Sequence, residues 1–140
     1  DGGVSYDPKN HEDMSHLRSD KITGISKSID PIEIQGEPEG ELLVIGWGGT
    51  YGAISSATKS LRDEGFSVSN IHLRHLNPFP DDLENVMKKF KKVIVPELNL
   101  GQLNLLLRAK FLIDVISYGK LQGKPFKVSE LREKFLEHLN

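Results

Sequence analysis

Cysteine is missing altogether from the 140 residues, and that one absence removes several chemistries. Disulfides, thiolate metal sites, cysteine-ligated iron–sulfur clusters and a cysteine nucleophile all need a sulfur that the chain does not have. Such a chain fits a reducing cytoplasm, the compartment expected for it. Charge of one sign is lacking as well. Eighteen basic residues stand against twenty acidic ones, a formal net charge of −2. That leaves no electrostatic footprint for nucleic acid or an anionic membrane surface. No apolar run approaches the roughly 18 residues that a membrane-spanning helix needs. The opening DGGVSYDP has neither an initiating methionine nor a signal-peptide pattern, and reads as part of a longer protein. What remains is an ordinary globular composition, 37% hydrophobic and 27% charged, at a length suited to one core.

Residues 1–9 are polar and glycine-rich and read as an extended arm. From Asn10 onward Met14, Leu17, Ile22, Ile25 and Ile29 recur at a roughly helical period. In the punctuating stretch DPIEIQGEPEGE, Ile32 and Ile34 alternate with polar neighbours, the pattern of a short edge strand. The texture changes after Glu41. LLVIGW is a continuous apolar run, the mark of a strand buried on both faces. Thr50 is placed to cap the next helix, whose inner face carries Ala53, Ile54, Ala57 and Leu61 and which Gly65 ends. VSNIHLRHL supplies a second strand, and NPFP stops it. Asp81 and Glu84 have the spacing of a capping box before a helix with Leu83, Val86, Met87 and Phe90. KVIVP is a third strand. Asn99 and Gln102 repeat the box pattern before a helix through Leu103, Leu106 and Leu107, and VISY is a fourth strand. Ser129 is placed to cap a last helix with Leu131, Phe135 and Leu139 inward. Strands alternating with helices are the signature of an open α/β sheet with right-handed crossovers. The boundary expected separates an arm, linker helix and edge strand (1–40) from an α/β domain (41–140).

The stretch GWGGTYG lies where such folds bind ligands, at the carboxyl end of a strand and the start of a helix. It fails the dinucleotide fingerprint, because Tyr51 stands where the third glycine belongs and Gly52 comes one residue late. Where an acidic residue should hold the ribose, His72, Arg74 and His75 appear instead, and no lysine completes a P-loop. A tight strand-to-helix turn is the simpler reading. His72 and His75, three apart near a strand end, tend towards opposite faces. His11 and His16, five apart, miss the helical spacing of paired metal ligands. SATK and SYGK share the spacing of a serine–lysine nucleophile pair without its companion motifs. Glu97 and Asn99, after the third strand, are the best polar candidates; Glu97 can accept backbone N–H groups or reach a ligand or partner. No nucleophile, base and orienting group assemble, so no catalytic residue and no metal ligand is assigned.

Three segments in order, LLVIGWGGTYGAI, HLRHLNPFP and KVIVPELNLGQL, together with the tail LQGKPFKVSEL, carry a family likeness. They resemble the C-terminal region of the alpha subunit of 2-oxoacid:ferredoxin oxidoreductases, LRHLNPFP and PELNLGQL being most similar to the 2-oxoglutarate type. GGVSYDPKNHEDMSHLRSDKI is similar to the linker helix before that domain. The resemblance implies a transketolase C-terminal-like fold, three layers α/β/α around a five-stranded, mostly parallel sheet whose first strand, IEIQG, is antiparallel. It implies a complete enzyme that oxidatively decarboxylates a 2-oxoacid onto coenzyme A and passes electrons to ferredoxin, using thiamine diphosphate, Mg²⁺ and an iron–sulfur cluster. By the same resemblance the thiamine site belongs to other domains. This chain is then a noncatalytic assembly domain with no cofactor of its own, and its partners are the rest of its alpha subunit and the beta subunit.

The working edge of such a sheet would hold Gly48, Gly49, Thr50, Tyr51, Arg74, His75, Glu97, Asn99 and Gly101, the candidates for any cofactor contact. Trp47 and Tyr51 are aromatic anchors that a partner interface favours. Two alternatives stay open. One is a module that binds a phosphate-bearing ligand, coenzyme A or a nucleotide, on the loop from Gly48 to Gly52. The other is the equivalent domain of another transketolase-like enzyme, in which the third-strand motif resembles a double glutamate followed by glycines.

Overall fold

The computed structural model describes residues 31–76, 78–98, 101–120 and 124–139. The helical reading of residues 10–29, with His11 and His16, lies outside these, as does Asn99. The described residues fall into two units, one of residues 31–32 with His75–Leu83, the other of Glu33–Arg74 with residues 84–139. In the first, the Asp82 carboxylate accepts the Ile32 N–H at 3.0 Å, and the Leu83 N–H donates to the Pro80 carbonyl at 3.2 Å.

The second unit is built on a sheet of β1 (Gly40–Trp47), β2 (Val68–Leu73), β3 (Phe90–Glu97) and β4 (Ile116–Gly119). Their order is β2-β1-β3-β4 and every pair is parallel. A 3-10 turn (Gly48–Thr50) leads into α1 (Tyr51–Asp63); α2 (Leu83–Met87), α3 (Gln102–Phe111) and α4 (Val128–Leu136) follow. β1 occupies the centre because its apolar run can be covered on both faces. Leu42 and Val44 join Ile94, Ile54, Ala57 and Leu61 of α1, and Leu131 and Phe135 of α4, in one core cluster. Leu43, Ile45, Val93 and Val95, one residue out of phase, are buried on the other face. The right-handed crossovers from β1 out to β2 and from β3 out to β4 run in opposite directions. They therefore put α1 and α3 on opposite faces.

The expected antiparallel first strand shrinks to one bridge, in which Gln35 and Asn70 exchange both backbone hydrogen bonds, at 2.9 and 3.0 Å. Pairing stops there because Gly36 turns to φ +108°, and Pro38 has no N–H to donate. The bridge is fastened by polar side chains instead. Asn70 Nδ2 and Ser55 Oγ donate to Gln35 Oε1 at 3.0 and 2.8 Å. Arg62 donates to the Gln35 carbonyl at 3.1 Å and to Asn70 Oδ1 at 3.2 Å. The buried Thr58 hydroxyl lies 2.7 Å from that same oxygen.

Helix ends follow the local sequence signals only in part. α1 closes at Gly65, φ +97°, with the Gly65 N–H on the Arg62 carbonyl and the Phe66 N–H on that of Leu61, a Schellman ending. At its start Thr50 holds the capping position, but its hydroxyl donates back to the Trp47 carbonyl at 3.0 Å. α4 starts from Lys127, two residues ahead of the expected Ser129, and Glu130 accepts the Lys127 N–H at 2.8 Å. Buried Phe126 sets that start: it and Leu131 occupy the two positions of a hydrophobic staple and share the core cluster. On α3 the inward residues are Leu103, Asn104 and Leu107, while Leu106 is exposed.

Candidate functional site

The glycines from the end of β1 to the start of α1 separate by what surrounds them. A Cβ on Gly46 would lie 2.6 Å from Ile54 Cδ1 and 3.0 Å from Thr50 Oγ1, so this glycine lets α1 begin against the strand. Gly48 takes φ +66°, the left-handed conformation that turns the chain. Gly49 and Gly52 face open space, where a methyl would meet nothing within 4 Å. Of the four glycines, Gly48 is thus required by the backbone and Gly46 by the side chains packed against it.

Beside this turn β3 ends on Glu97. An open cleft of about 190 Å³ between the two is lined by Trp47, Gly48, Gly49, Thr50, Glu97 and Leu98. Glu97 is 1% exposed, and a buried carboxylate needs partners for its charge. It has them in the first turn of α3: Oε1 accepts the Leu103 N–H at 2.8 Å and Oε2 the Asn104 N–H at 3.0 Å. The positive end of the helix dipole adds to these bonds. Gly101 enters the helix with φ +82°, and a Cβ there would sit 3.3 Å from Ser117 Oγ. Glu97 therefore supplies the cap that the Asn99–Gln102 pattern suggested.

The other candidates lie in different places. Tyr51 opens α1, half exposed; its hydroxyl accepts Gln35 Nε2 at 2.9 Å. Its ring meets His72 edge to face, with centroids 5.1 Å apart. Burial first, and the neighbouring Arg74 cation second, lower the His72 pKa from its ordinary value. His72 Nδ1 is buried without a hydrogen-bond partner. Arg74 is exposed, and His75 belongs to the other unit. The structure brings Gly48, Gly49, Thr50 and Glu97 onto one cleft, with Gly101 behind Glu97. The lysines of the two serine–lysine matches are engaged elsewhere, Lys59 with Asp63 at 3.2 Å and Lys120 with Glu130 at 2.7 Å. Leu98, which lines the cleft, and the Gln35–Asn70–Thr58–Arg62 network were not singled out from the sequence. The signal for the network was an asparagine in the middle of a strand, at a position that the fold buries.

The donor set does not fit a diphosphate with its metal ion. Both Glu97 oxygens are engaged by backbone N–H groups, and their negative charge would oppose phosphate. Among the described residues no three His, Asp or Glu side chains stand together as a metal site.

Comparison with known proteins places this geometry among relatives. The family profile described as "Pyruvate:ferredoxin oxidoreductase core domain II" matches residues 40–131. The chain is similar to the 2-oxoglutarate oxidoreductase subunit KorA of Mycobacterium tuberculosis, 46% identical over 132 residues, which are 93% of this chain and 20% of that protein. It is similar to the solved structure of the 2-oxoglutarate:ferredoxin oxidoreductase from Magnetococcus marinus with 2-oxoglutarate, coenzyme A and succinyl-CoA bound. That match has a TM-score of 0.85 and 34% identity, covering 98% of this chain and 24% of the other. A split-gene transketolase, an inactive beta4 tetramer, shares the fold at a TM-score of 0.56 and 16% identity, over 70% of this chain and 38% of the other. The chain thus spans about a fifth to a quarter of the two oxidoreductase chains it matches.

Proposed function

Because the chain belongs to the pyruvate:ferredoxin oxidoreductase core domain II family, we propose that it is the structural and assembly domain of a 2-oxoacid:ferredoxin oxidoreductase alpha subunit. The 2-oxoglutarate type is the reading best supported, through its relatives in M. tuberculosis and M. marinus. In this reading the complete enzyme oxidatively decarboxylates the 2-oxoacid to its acyl-CoA and delivers electrons to ferredoxin. Thiamine diphosphate, Mg²⁺ and an iron–sulfur cluster supply that chemistry from other domains or subunits; this chain has no cysteine with which to ligate a cluster. Its partners are the rest of the alpha subunit and the beta subunit, with ferredoxin and coenzyme A meeting the complex as a whole. The cytoplasm is the proposed compartment. Among the described residues no helix is long and apolar enough to cross a membrane.

One observation carries the assembly reading: the buried acid at the carboxyl edge of the sheet is engaged by its own helix. Glu97 holds the start of α3, and Thr50 holds the turn below it. Neither is left to orient a substrate. The test is Gly49→Ala in the complete oxidoreductase, because a methyl at Gly49 meets no protein atom but would collide with a phosphate resting on the turn. We expect KM values for coenzyme A and 2-oxoglutarate within about twofold of the parent. A rise of about tenfold in the coenzyme A KM alone would overturn the reading in favour of a phosphate-binding loop.

A further inference from the structure

α3 is apolar on two sides. Leu103 and Leu107 face the core, fully buried. On the outer side Leu105 is 66% exposed and Leu106 48%, and Leu112, just past the helix end, is 88% exposed. With exposed Ala109, Leu105 and Leu112 fall at i, i+4 and i+7, the spacing of one continuous stripe, and Leu106 widens it. Three of the five large hydrophobic residues exposed among the described residues thus lie on one helix or at its C-terminal cap. A helix that is apolar on two sides belongs between two packed surfaces, and among the described residues only one is present. The ending repeats the point. Leu112 takes φ +56°, a conformation in which glycine is comfortable and leucine is not, and its side chain is left in solvent.

We propose that this outer face of α3 is a docking surface for the remainder of its own polypeptide, an apolar patch with carboxylates at its rim. The proposal rests on the assembly reading above and gives it a place. Two observations select this occupant. The chain makes up only 20% and 24% of the two oxidoreductase chains it matches, so in such proteins most of the polypeptide lies outside the domain and has to pack somewhere. Arg108 and Lys110 are exposed beside the stripe, and Arg108 reaches Asp114 only at 3.9 Å; they call for acidic groups opposite. A second copy of the same face fits poorly. A two-fold axis through the middle of the stripe sets the Arg108 side chains of the two copies against each other, each with only the solvent-exposed Asp114 at 3.9 Å beside it.

The experiment places a photo-crosslinking residue in the complete subunit, Leu105→p-benzoylphenylalanine in one version and Leu112→p-benzoylphenylalanine in the other. Each is assembled from a mixture of ¹⁴N- and ¹⁵N-labelled chains. Irradiation followed by peptide mapping is expected to give, from both positions, crosslinks within one isotopic chain to peptides outside residues 1–140. Crosslinks that mix the isotopes, crosslinks to another subunit, or reaction with solvent alone at both positions would overturn the proposal. Leu112 is almost fully exposed, so its replacement leaves the domain's own packing intact and keeps the test valid if the Leu105 version assembles poorly. Because the readout is the position of a crosslink and not turnover, it can succeed or fail whatever the Gly49→Ala kinetics show.

Discussion

Glu97 shows how much one side chain can decide. It ends a central strand, it is buried, and its two oxygens answer two of the N–H groups that any helix start leaves open. Removing it strands two buried donors, each worth about 1–3 kcal/mol when unsatisfied. Glu97→Ala should therefore lower the unfolding free energy by about 2–4 kcal/mol. Glu97→Gln keeps one acceptor and should lose about half as much. Urea unfolding of the chain measures both. A Gln variant as damaged as the Ala variant would show that the charge, and not the geometry, holds the helix. The sequence made Glu97 visible as a carboxylate at a strand end, able to accept backbone N–H groups, but drew the capping box of α3 from Asn99 and Gln102. Capping rules look three residues along the chain, whereas Glu97 reaches six and seven residues ahead, into a helix entered at Gly101. The Gly46 contact was hidden for a related reason: its partner Ile54 comes close only once α1 has folded back on the strand.

Among the elements, those defined by burial were legible and those defined by a few polar contacts were not. β1, β2, β3 and β4 lie where LLVIGW, VSNIHLRHL, KVIVP and VISY read as strands; for β1 and the outgoing half of β3 the reason is that a run covered on both faces has to be apolar, whereas β4 has no fully buried residue. The Gln35 bridge is held by Asn70, Thr58 and Arg62, all distant in sequence, so alternation of Ile32 and Ile34 overstated its length. α4 is a middle case: its inner residues were clear, but its start follows Phe126 and not the nearest serine. Its first turn carries a titratable device. Glu130 is held below its ordinary value of 4.5, first by the hydrogen bond from the Lys120 ammonium and then by the Lys127 N–H. The carboxylate is thus favoured in the folded state. Its contribution is complete above pH 4.5 and fades as the pH falls through the depressed folded value. Urea midpoints of the parent should drop in that acid window more than those of Glu130→Gln. Parallel curves for the two proteins would mean that the Lys120 pairing contributes nothing.

At the scale of the whole molecule, the fold class came from strand–helix alternation and the family from ordered motifs. The outer face of α3 came from neither. Leu105, Leu106 and Leu112 look like core residues in a sequence, and only a structure shows that the core lies on the other side. The strand order also has a consequence in time. β1 is the first strand of the sheet along the chain, yet it lies between β2 and β3 and pairs with residues near 70 and near 93. Parallel neighbours cannot zip from a hairpin; each must wait for a crossover to close. β1 therefore acquires its second neighbour only when a loop of about fifty residues has been ordered, at an entropic cost that slows the step. In refolding followed by pulsed hydrogen exchange, the amides of β1 and β3 should become protected together, in the slowest phase. Protection of β3 well before β1 would show that the sheet assembles by another route. Until that step is complete, the most apolar strand of the molecule stands open along one edge.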